Sequence, residues 1–356
     1  MKTAFRKLVE ELSVLLAHSP FFRETPPSVH AVVNPAAGLF TRTKRLERSV
    51  ELLRERMSSM PARGRFEPAS VSVEFTEYPG HARQLAVEGI ERLRGSPAPL
   101  LLSAGGDGTH RDLLEAVVAF TDSAREPRTH MPVFRLPAGT GNDSADARTM
   151  NQAYRRLTQL HESRLEAAIE TRTADGRAFY AFNVASFGLD AVVSGVTNVL
   201  KRTHLPGNLY TLVADVATVL YVPIFGIPHS RVAWSTGDGF EEAEGRFAVV
   251  AFGVDGGRRY GRGKPILPDA RNMCAIRLPP LVRRIGIKKH VYRGTHMGEP
   301  EVIGRCTTML QIEATERMPF QFDGEMVWLT PEAFPVTMRI RPSAWASLQP
   351  RSQSKS

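Results

Sequence analysis

Leu100–Val118 reads LLLSAGGDGTHRDLLEAVV. Leu100, Leu101 and Leu102 mark the end of a buried strand. Leu113, Leu114, Val117 and Val118 recur with the i, i+3, i+4 spacing of one helix face. Between them stand Gly105, Gly106, Asp107, Gly108 and Thr109. Glycines at a strand-to-helix turn let backbone N–H groups come close to a phosphate, whose charge the helix N-terminus favours. The Asp107 carboxylate would repel that phosphate, so it suits a Mg²⁺ held through water or a substrate hydroxyl. Taken alone, the five residues also read as a plain Gly-Asp-Gly turn.

The flanking sequence repeats the pattern. Val133–Ala147, VFRLPAGTGNDSADA, is a second apolar run ending in small and polar residues. Upstream, His30–Val33 leads into Asn34-Pro35-Ala36-Ala37-Gly38. Val71–Phe75 leads into Thr76-Glu77-Tyr78-Pro79-Gly80-His81-Ala82, ahead of a helical run through Leu85, Ala86 and Ile90. Four strands in order thus end in ligand-type loops, which an open parallel sheet gathers on one edge.

NPAAG, TEYPGHA, GGDGT and PAGTGND, in this order, resemble the diacylglycerol kinase catalytic domain shared by bacterial lipid kinases, sphingosine kinases and ceramide kinases. The resemblance continues through Phe182–Ala191 (FNVASFGLDA), Tyr260–Ala270 (YGRGKPILPDA) and Phe322–Glu325 (FDGE). GGDGT by itself is shared with NAD kinases and phosphofructokinase-like enzymes; the complete series is far more specific. The resemblance implies an N-terminal open parallel-sheet nucleotide-binding α/β domain of the NAD kinase and phosphofructokinase type. A C-terminal mainly β-sandwich domain follows. It also implies ATP with accompanying Mg²⁺ and a membrane lipid as acceptor.

The chain departs from the family pattern in places. His110, Arg111 and Asp112 follow GGDGT where an apolar residue, Asn and Glu are usual, and Ser144 follows the Asn-Asp. Cys274 and Ala275 stand where bacterial members carry an Asp-Gly whose Asp helps hold a structural Mg²⁺. A thiol is a poor ligand for that hard cation, so no accessory metal site is expected.

Composition agrees with a soluble globular chain: 356 residues, 42% hydrophobic and 23% charged. Two cysteines, Cys274 and Cys306, make no disulfide framework and read as buried or inert thiols in a reducing compartment. The formal charge of +9 suits nucleic acid, an anionic membrane surface or a phosphorylated ligand. Nucleic-acid motifs are absent, so no nucleic-acid partner is expected. Arg258-Arg259, Arg262-Gly263-Lys264, Arg283-Arg284 and Lys288-Lys289 read either as contacts to an anionic leaflet or as solvated loop charge.

No transmembrane span or signal peptide is expected: Asp215, Pro223 and Gly226 interrupt Leu209–Ile227, a buried helix followed by a turn, and Glu10 and Glu11 interrupt the N-terminus. The expected location is cytoplasmic and peripheral to the membrane. Residues 3–17 set Phe5, Leu8, Val9, Leu12, Leu15 and Leu16 on one helix side. Mixed charge on the other side favours packing on the protein over a membrane surface.

The expected organisation is an N-terminal extension (1–27), an α/β domain (28–170), a β domain (171–335) and a disordered tail (349–356), with 336–348 returning to the α/β domain. Arg45–Arg56 and Arg83–Arg94 are helical stretches and Arg56–Pro68 a loop. The β domain is read from Arg177–Val184, Arg231–Ser235, Phe247–Phe252, Met273–Leu278, Thr308–Glu313 and Met326–Leu329, with one helical insert at Ala191–Tyr221.

By resemblance, Glu325 is the general base that takes the proton of the lipid hydroxyl, and Asp107 is the second catalytic carboxylate. Asn34, Thr76, Gly105, Gly106, Gly108, Thr109, Thr140, Gly141 and Asn142 are the nucleotide-binding residues. His81 and His110 read as helix-start histidines with local hydrogen bonds, and Asn183 and Asp190 as structural. The implied activity is ATP-dependent phosphorylation of a lipid hydroxyl, with diacylglycerol giving phosphatidic acid foremost. The alternatives are an NAD-kinase-like kinase of a soluble substrate and a catalytically inactive homologue. Oligomeric state is not legible.

Overall fold

Lys2–Ala17 forms the first helix, α1, with Phe5, Leu8, Val9, Leu12, Leu15 and Leu16 buried. Its apolar face therefore packs on the protein. The computed structural model describes residues 2–41, 43–59, 67–123, 131–139, 142–202, 226–259 and 264–351. Two compact units divide the chain: Met1–Glu166 with Pro342–Ser356, and Ala167–Arg341.

In the first unit, strands and helices alternate: β1 (Ser28–Val33), α2 (Thr43–Ser58), β2 (Ser70–Phe75), α3 (His81–Leu93), β3 (Pro99–Gly105), α4 (Asp107–Ser123), β4 (Pro132–Pro137) and α5 (Met150–Leu157). The pairings among these four strands are parallel. β1 lies between β2 and β3, and β4 lies beyond β3. Ala346 and Ser347, near the end of the chain, pair in parallel with Pro132 and Val133 of β4. Alternate strand residues serve opposite faces, as strand geometry requires. Val29, Ala31, Val33, Leu100, Leu102 and Ala104 share a core with α1, α2 and α5 residues such as Leu12, Leu53 and Tyr154. On the other face, His30 meets the Leu85 carbonyl of α3 at 3.1 Å, and Ser103 meets His110 of α4 at 2.8 Å. Gly89 makes room for the His30 ring, which an added Cβ would meet at 2.2 Å. The unit is thus doubly wound. α2 continues past the expected loop start to Ser58, and residues 60–66 of that loop lie outside the described residues.

The second unit is β-rich. Two sheets share the long strand β9. The chain enters it within β5 (Leu160–Arg172), then forms β6 (Ala178–Ala181), β7 (Val184–Gly188), α6 (Leu189–Arg202), β8 (His229–Ser235) and β9 (Phe240–Gly253). β10 (Met273–Arg277), α7 (Leu281–Arg293), β11 (Val302–Arg305), β12 (Met309–Ala314), β13 (Met318–Phe322), β14 (Glu325–Leu329) and β15 (Val336–Pro350) complete the chain. The first half of β9 pairs with β8, and its second half pairs with β7 and β10. Gly245, at φ +147°, sits where the strand changes partners. Phe187, Phe252 and Phe320 of one sheet and Val232, Trp234, Leu310 and Met338 of the other belong to one core. That is sandwich packing.

Several expectations change. Arg177–Val184 is two strands, β6 and β7, broken at Phe182-Asn183. The unit carries a second helix, α7, so Arg283-Arg284 and Lys288-Lys289 are helical and not loop residues. β5 and β11 were not legible. Residues 203–221 of the expected insert and 209–225 of the expected buried helix lie outside the described residues. Gln349 and Pro350 belong to β15 and not to a tail, while 352–356 are outside the described residues. Cys274 is buried in β10, and burial pushes its thiol up to about 12; Cys306 is exposed.

Candidate active site

The carboxyl ends of β1, β2, β3 and β4 lie on one edge because the strands are parallel neighbours. From β1 the chain goes to β2 on one side and then to β3 and β4 on the other. The switch point therefore falls between β1 and β3, where such sheets bind ligands. Asn34, just past β1, donates from Nδ2 to the Thr109 hydroxyl of α4 at 3.1 Å and accepts the Ala36 N–H at 3.0 Å. This fastens NPAAG to GGDGT across the switch. Thr76, past β2, donates its N–H to the Val33 carbonyl at 2.9 Å.

The GGDGT turn and the turn after β4 touch backbone to backbone. A Cβ added at Gly139 would stand 2.6 Å from the Gly106 Cα and 3.1 Å from the Asn142 Oδ1. A Cβ at Gly106 would meet the Gly139 Cα at an ordinary 3.5 Å, and Gly106 does not have a positive φ. The close-approach glycine is therefore Gly139, which the sequence did not single out. At Gly105, an added Cβ would strike the Thr109 side chain at 2.5 Å. Gly108 lies in the first turn of α4.

Asp107 opens α4, and its Oδ1 accepts the Ser144 N–H at 2.9 Å. One carboxylate oxygen thereby ties the two turns together. Asp146 fixes the second turn from its far end, accepting the backbone N–H of Arg135 at 2.6 Å and its Nη2 at 2.7 Å. Arg156 of α5 donates to the Asp146 carbonyl. Such charge-assisted pairs are the strong ones. Nothing in the sequence marks Asp146 or Arg135 beyond their nearness to the motif. Asn142 holds a left-handed φ of 55°, and its buried Oδ1 finds no donor among the described residues. Thr140 and Gly141 lie outside the described residues.

His110 is buried against Ser103, and its pKa is lowered to about 3, first by burial and then by the Arg135 charge. It is neutral at physiological pH and offers no cation to a phosphate. His81 accepts the Glu77 N–H at 3.1 Å and stacks on Tyr78. Both make the local contacts expected of them.

Glu325 lies in the second unit. β13 and β14 form a hairpin whose two turn residues, Asp323 and Gly324, have φ of 49° and 89°. Both are positive, as a type I′ turn requires. Glu325 opens β14, half-buried, opposite Phe322. The Asp323 carboxylate accepts three backbone N–H groups, from Phe182 (2.6 Å), Asn183 (2.9 Å) and Val184 (3.1 Å). It holds the break between β6 and β7. Gln321 accepts the Gly324 N–H at 2.8 Å and donates to Ser186 at 2.6 Å, and Ser186 in turn donates to Asp190. Asn183 donates to the Arg259 carbonyl at 2.8 Å. Asp323, Asn183 and Asp190 are thus engaged in holding the hairpin and its neighbours.

Residues 28–173 match the family model of the diacylglycerol kinase catalytic domain. The "Probable lipid kinase YegS-like" of Pseudomonas syringae pv. syringae (strain B728a) is 24% identical over 259 residues, 72% of this chain and 77% of its own. The protein of the same description from Yersinia enterocolitica serotype O:8 is 25% identical over 260 residues, 70% of this chain and 75% of its own. A crystal structure titled as a diacylglycerol kinase from Bacillus anthracis str. Sterne covers 90% of this chain and 96% of its own. Its TM-score is 0.58 at 14% identity, which shows a shared fold. The family expected from the motif series is the family matched. Among the described residues no helix is long and apolar enough to cross a membrane.

Proposed function

We propose that the protein is an ATP-dependent lipid kinase that transfers the γ-phosphoryl group to a lipid hydroxyl, with diacylglycerol giving phosphatidic acid foremost. The observation that carries this reading is the Gly106–Gly139 approach at the carboxyl edge of a matched catalytic domain. Glycines bare of side chains let backbone N–H groups come close to a phosphate, and the orphaned Asn142 Oδ1 beside them suits a donor on an incoming ligand. The residues present therefore fit a nucleotide. Gly105, Gly106, Gly108 and Thr109 would hold phosphates, and Asn34, Thr76, Thr140, Gly141 and Asn142 the rest of the nucleotide. Mg²⁺ arriving with ATP would neutralise phosphate charge, with Asp107 as the nearby carboxylate of the usual one or two.

Phosphoryl transfer asks the protein chiefly for positioning and charge stabilisation. The tethers from Asp107, Arg135 and Arg156 anchor the chain at Ser144 and Asp146, so groups held there need little reorganisation when a nucleotide arrives. Glu325 takes the proton of the acceptor hydroxyl as its oxygen bonds to the γ-phosphorus and the bond to ADP breaks. The enzyme acts from the cytoplasm at a membrane face. Mixed micelles containing diacylglycerol, monoacylglycerol, sphingosine, ceramide or phosphatidylglycerol, incubated with labelled ATP and Mg²⁺, test the reading. Label in a lipid, diacylglycerol first, is expected. Label confined to a water-soluble acceptor, or no transfer from bound ATP, overturns it.

A further inference from the structure

Helix α7 carries an exposed stripe that its own unit leaves uncovered. Ile287 is buried and Val291 is packed against the same core, so that side faces inward. Residues four apart share a helix face, and Leu281, Ile285, Lys289 and Arg293 form such a row on the opposite side. All four are exposed, and Val282 beside them is 85% exposed. Three branched aliphatic side chains standing in water on two adjoining turns is not the scattered exposure normal for a surface.

The charge on this helix has one sign. Arg283, Arg284, Lys288, Lys289 and Arg293 lie within α7, and the helix contains no Asp or Glu. Glu299 and Glu301, from the following segment, pair with Arg283 on the flank of the helix. Along the exposed row the apolar residues come first and the cations last. At 1.5 Å per residue, Leu281 and Lys289 stand roughly 12 Å apart. Apolar faces of interfacial helices sink roughly 5–10 Å below the headgroups, so α7 docked with its first turns tilted inward would keep Lys289 and Arg293 at headgroup level. Lys264 Nζ and Lys288 Nζ lie 4.3 Å and 5.5 Å from the centroid of the Tyr292 ring, adding cations beside the row. A protein partner would need matching acids and an apolar hollow; an anionic bilayer supplies both over any orientation of the row.

We infer that α7 is a membrane-docking helix: Leu281, Val282 and Ile285 insert into the acyl boundary, while Lys289 and Arg293 bind anionic headgroups. This deepens the lipid-kinase reading by naming the surface that meets the lipid phase, and its test does not use turnover.

The full-length protein is floated with phosphatidylcholine vesicles, with and without phosphatidylglycerol. Wild type is expected on the anionic vesicles, with release on adding salt. Lys289→Ala/Arg293→Ala is expected to weaken binding to anionic vesicles roughly 30-fold, at about tenfold per 1.4 kcal/mol. Val282→Asp/Ile285→Asp should weaken it tenfold or more. Val87→Asp, at a comparably exposed site on α3, should leave binding unchanged. Melting curves check that each variant is folded. Wild type that ignores anionic vesicles, α7 variants that bind as wild type, or an equal loss in Val87→Asp overturns the inference. Concentration-dependent dimers of wild type that Val282→Asp/Ile285→Asp dissolves would assign the stripe to a second copy and overturn it too. Phosphorylation of a monomeric short-chain lipid by the variants separates failure of docking from failure of the kinase reading.

Discussion

Replacing Gly139 by alanine tests the contact on which the nucleotide site rests. The added Cβ would stand 2.6 Å from the Gly106 Cα and 3.1 Å from the Asn142 Oδ1, inside the 3.5–4.0 Å or so of good carbon contact. The nearer neighbour is backbone and cannot rotate away, so the turn itself must move. Overpacking of this kind costs about 1–3 kcal/mol. At roughly 2–4 °C per kcal/mol for a unit of this size, Tm should fall by about 2–12 °C. The Asp107–Ser144 tether holds the same two turns, so ATP affinity should fall at least tenfold with it. The reciprocal Gly106→Ala meets Gly139 at an ordinary 3.5 Å with no left-handed φ to defend. Its Tm should stay within about 2 °C of wild type. Scanning and titration calorimetry read both variants. Unchanged stability and ATP affinity in Gly139→Ala, or an equal loss of stability in Gly106→Ala, would refute the geometry.

Three further outcomes follow from the same contacts. Asp107→Asn keeps an oxygen for the Ser144 N–H, so it should fold normally yet lose more than tenfold in turnover, a loss above about 1.4 kcal/mol; retention of more than a tenth would remove Asp107 from catalysis. His110 has a folded pKa of about 3, below its value of roughly 6.5 in an unfolded chain. The unfolded state therefore binds the extra proton, and the stability held at neutral pH is lost as pH falls through that window, by at most about 1.4 kcal/mol per unit. His110→Gln should flatten that acid limb in urea titrations, and an unchanged limb would contradict the burial argument. Asp323→Ala leaves three backbone donors without their acceptor and should destabilise the second unit by about 1.5–3 kcal/mol or more. Asp323→Asn should lose less, and an equal loss would mean that the carboxylate charge, rather than its acceptor geometry, carries the role.

The parallel sheet was legible because its strands, apolar or alternating, run into glycine-bearing loops, as in Leu100–Val118, where helical spacing follows. The burial of α1 was legible for the same reason: its apolar residues keep a strict helical face. β5 was not, because Leu160–Arg172 carries Glu162, Arg164 and Glu166 in a strand whose first half is largely exposed. α7 was hidden by its weak amphipathy, with exposed Leu281, Val282 and Ile285 opposite the buried Ile287. Within the site, the motif residues were visible but their fasteners were not. Asp146, Arg135 and the Gly139 contact act through distances that spacing along the chain does not encode. Asp323 is a turn residue, yet its carboxylate also secures Phe182–Val184 from a distant part of the sequence.

Glu325→Gln bears most directly on the proposed chemistry. It keeps the size of the side chain at the head of β14 and removes the proton acceptor. With diacylglycerol in mixed micelles and saturating ATP, kcat should fall by roughly 10²-fold or more, as for loss of a general base. ATP affinity by titration calorimetry should stay within about threefold, since a group acting on the acceptor hydroxyl adds little to ground-state nucleotide binding. Full kcat in Glu325→Gln, or loss of ATP binding in place of loss of turnover, would contradict the account.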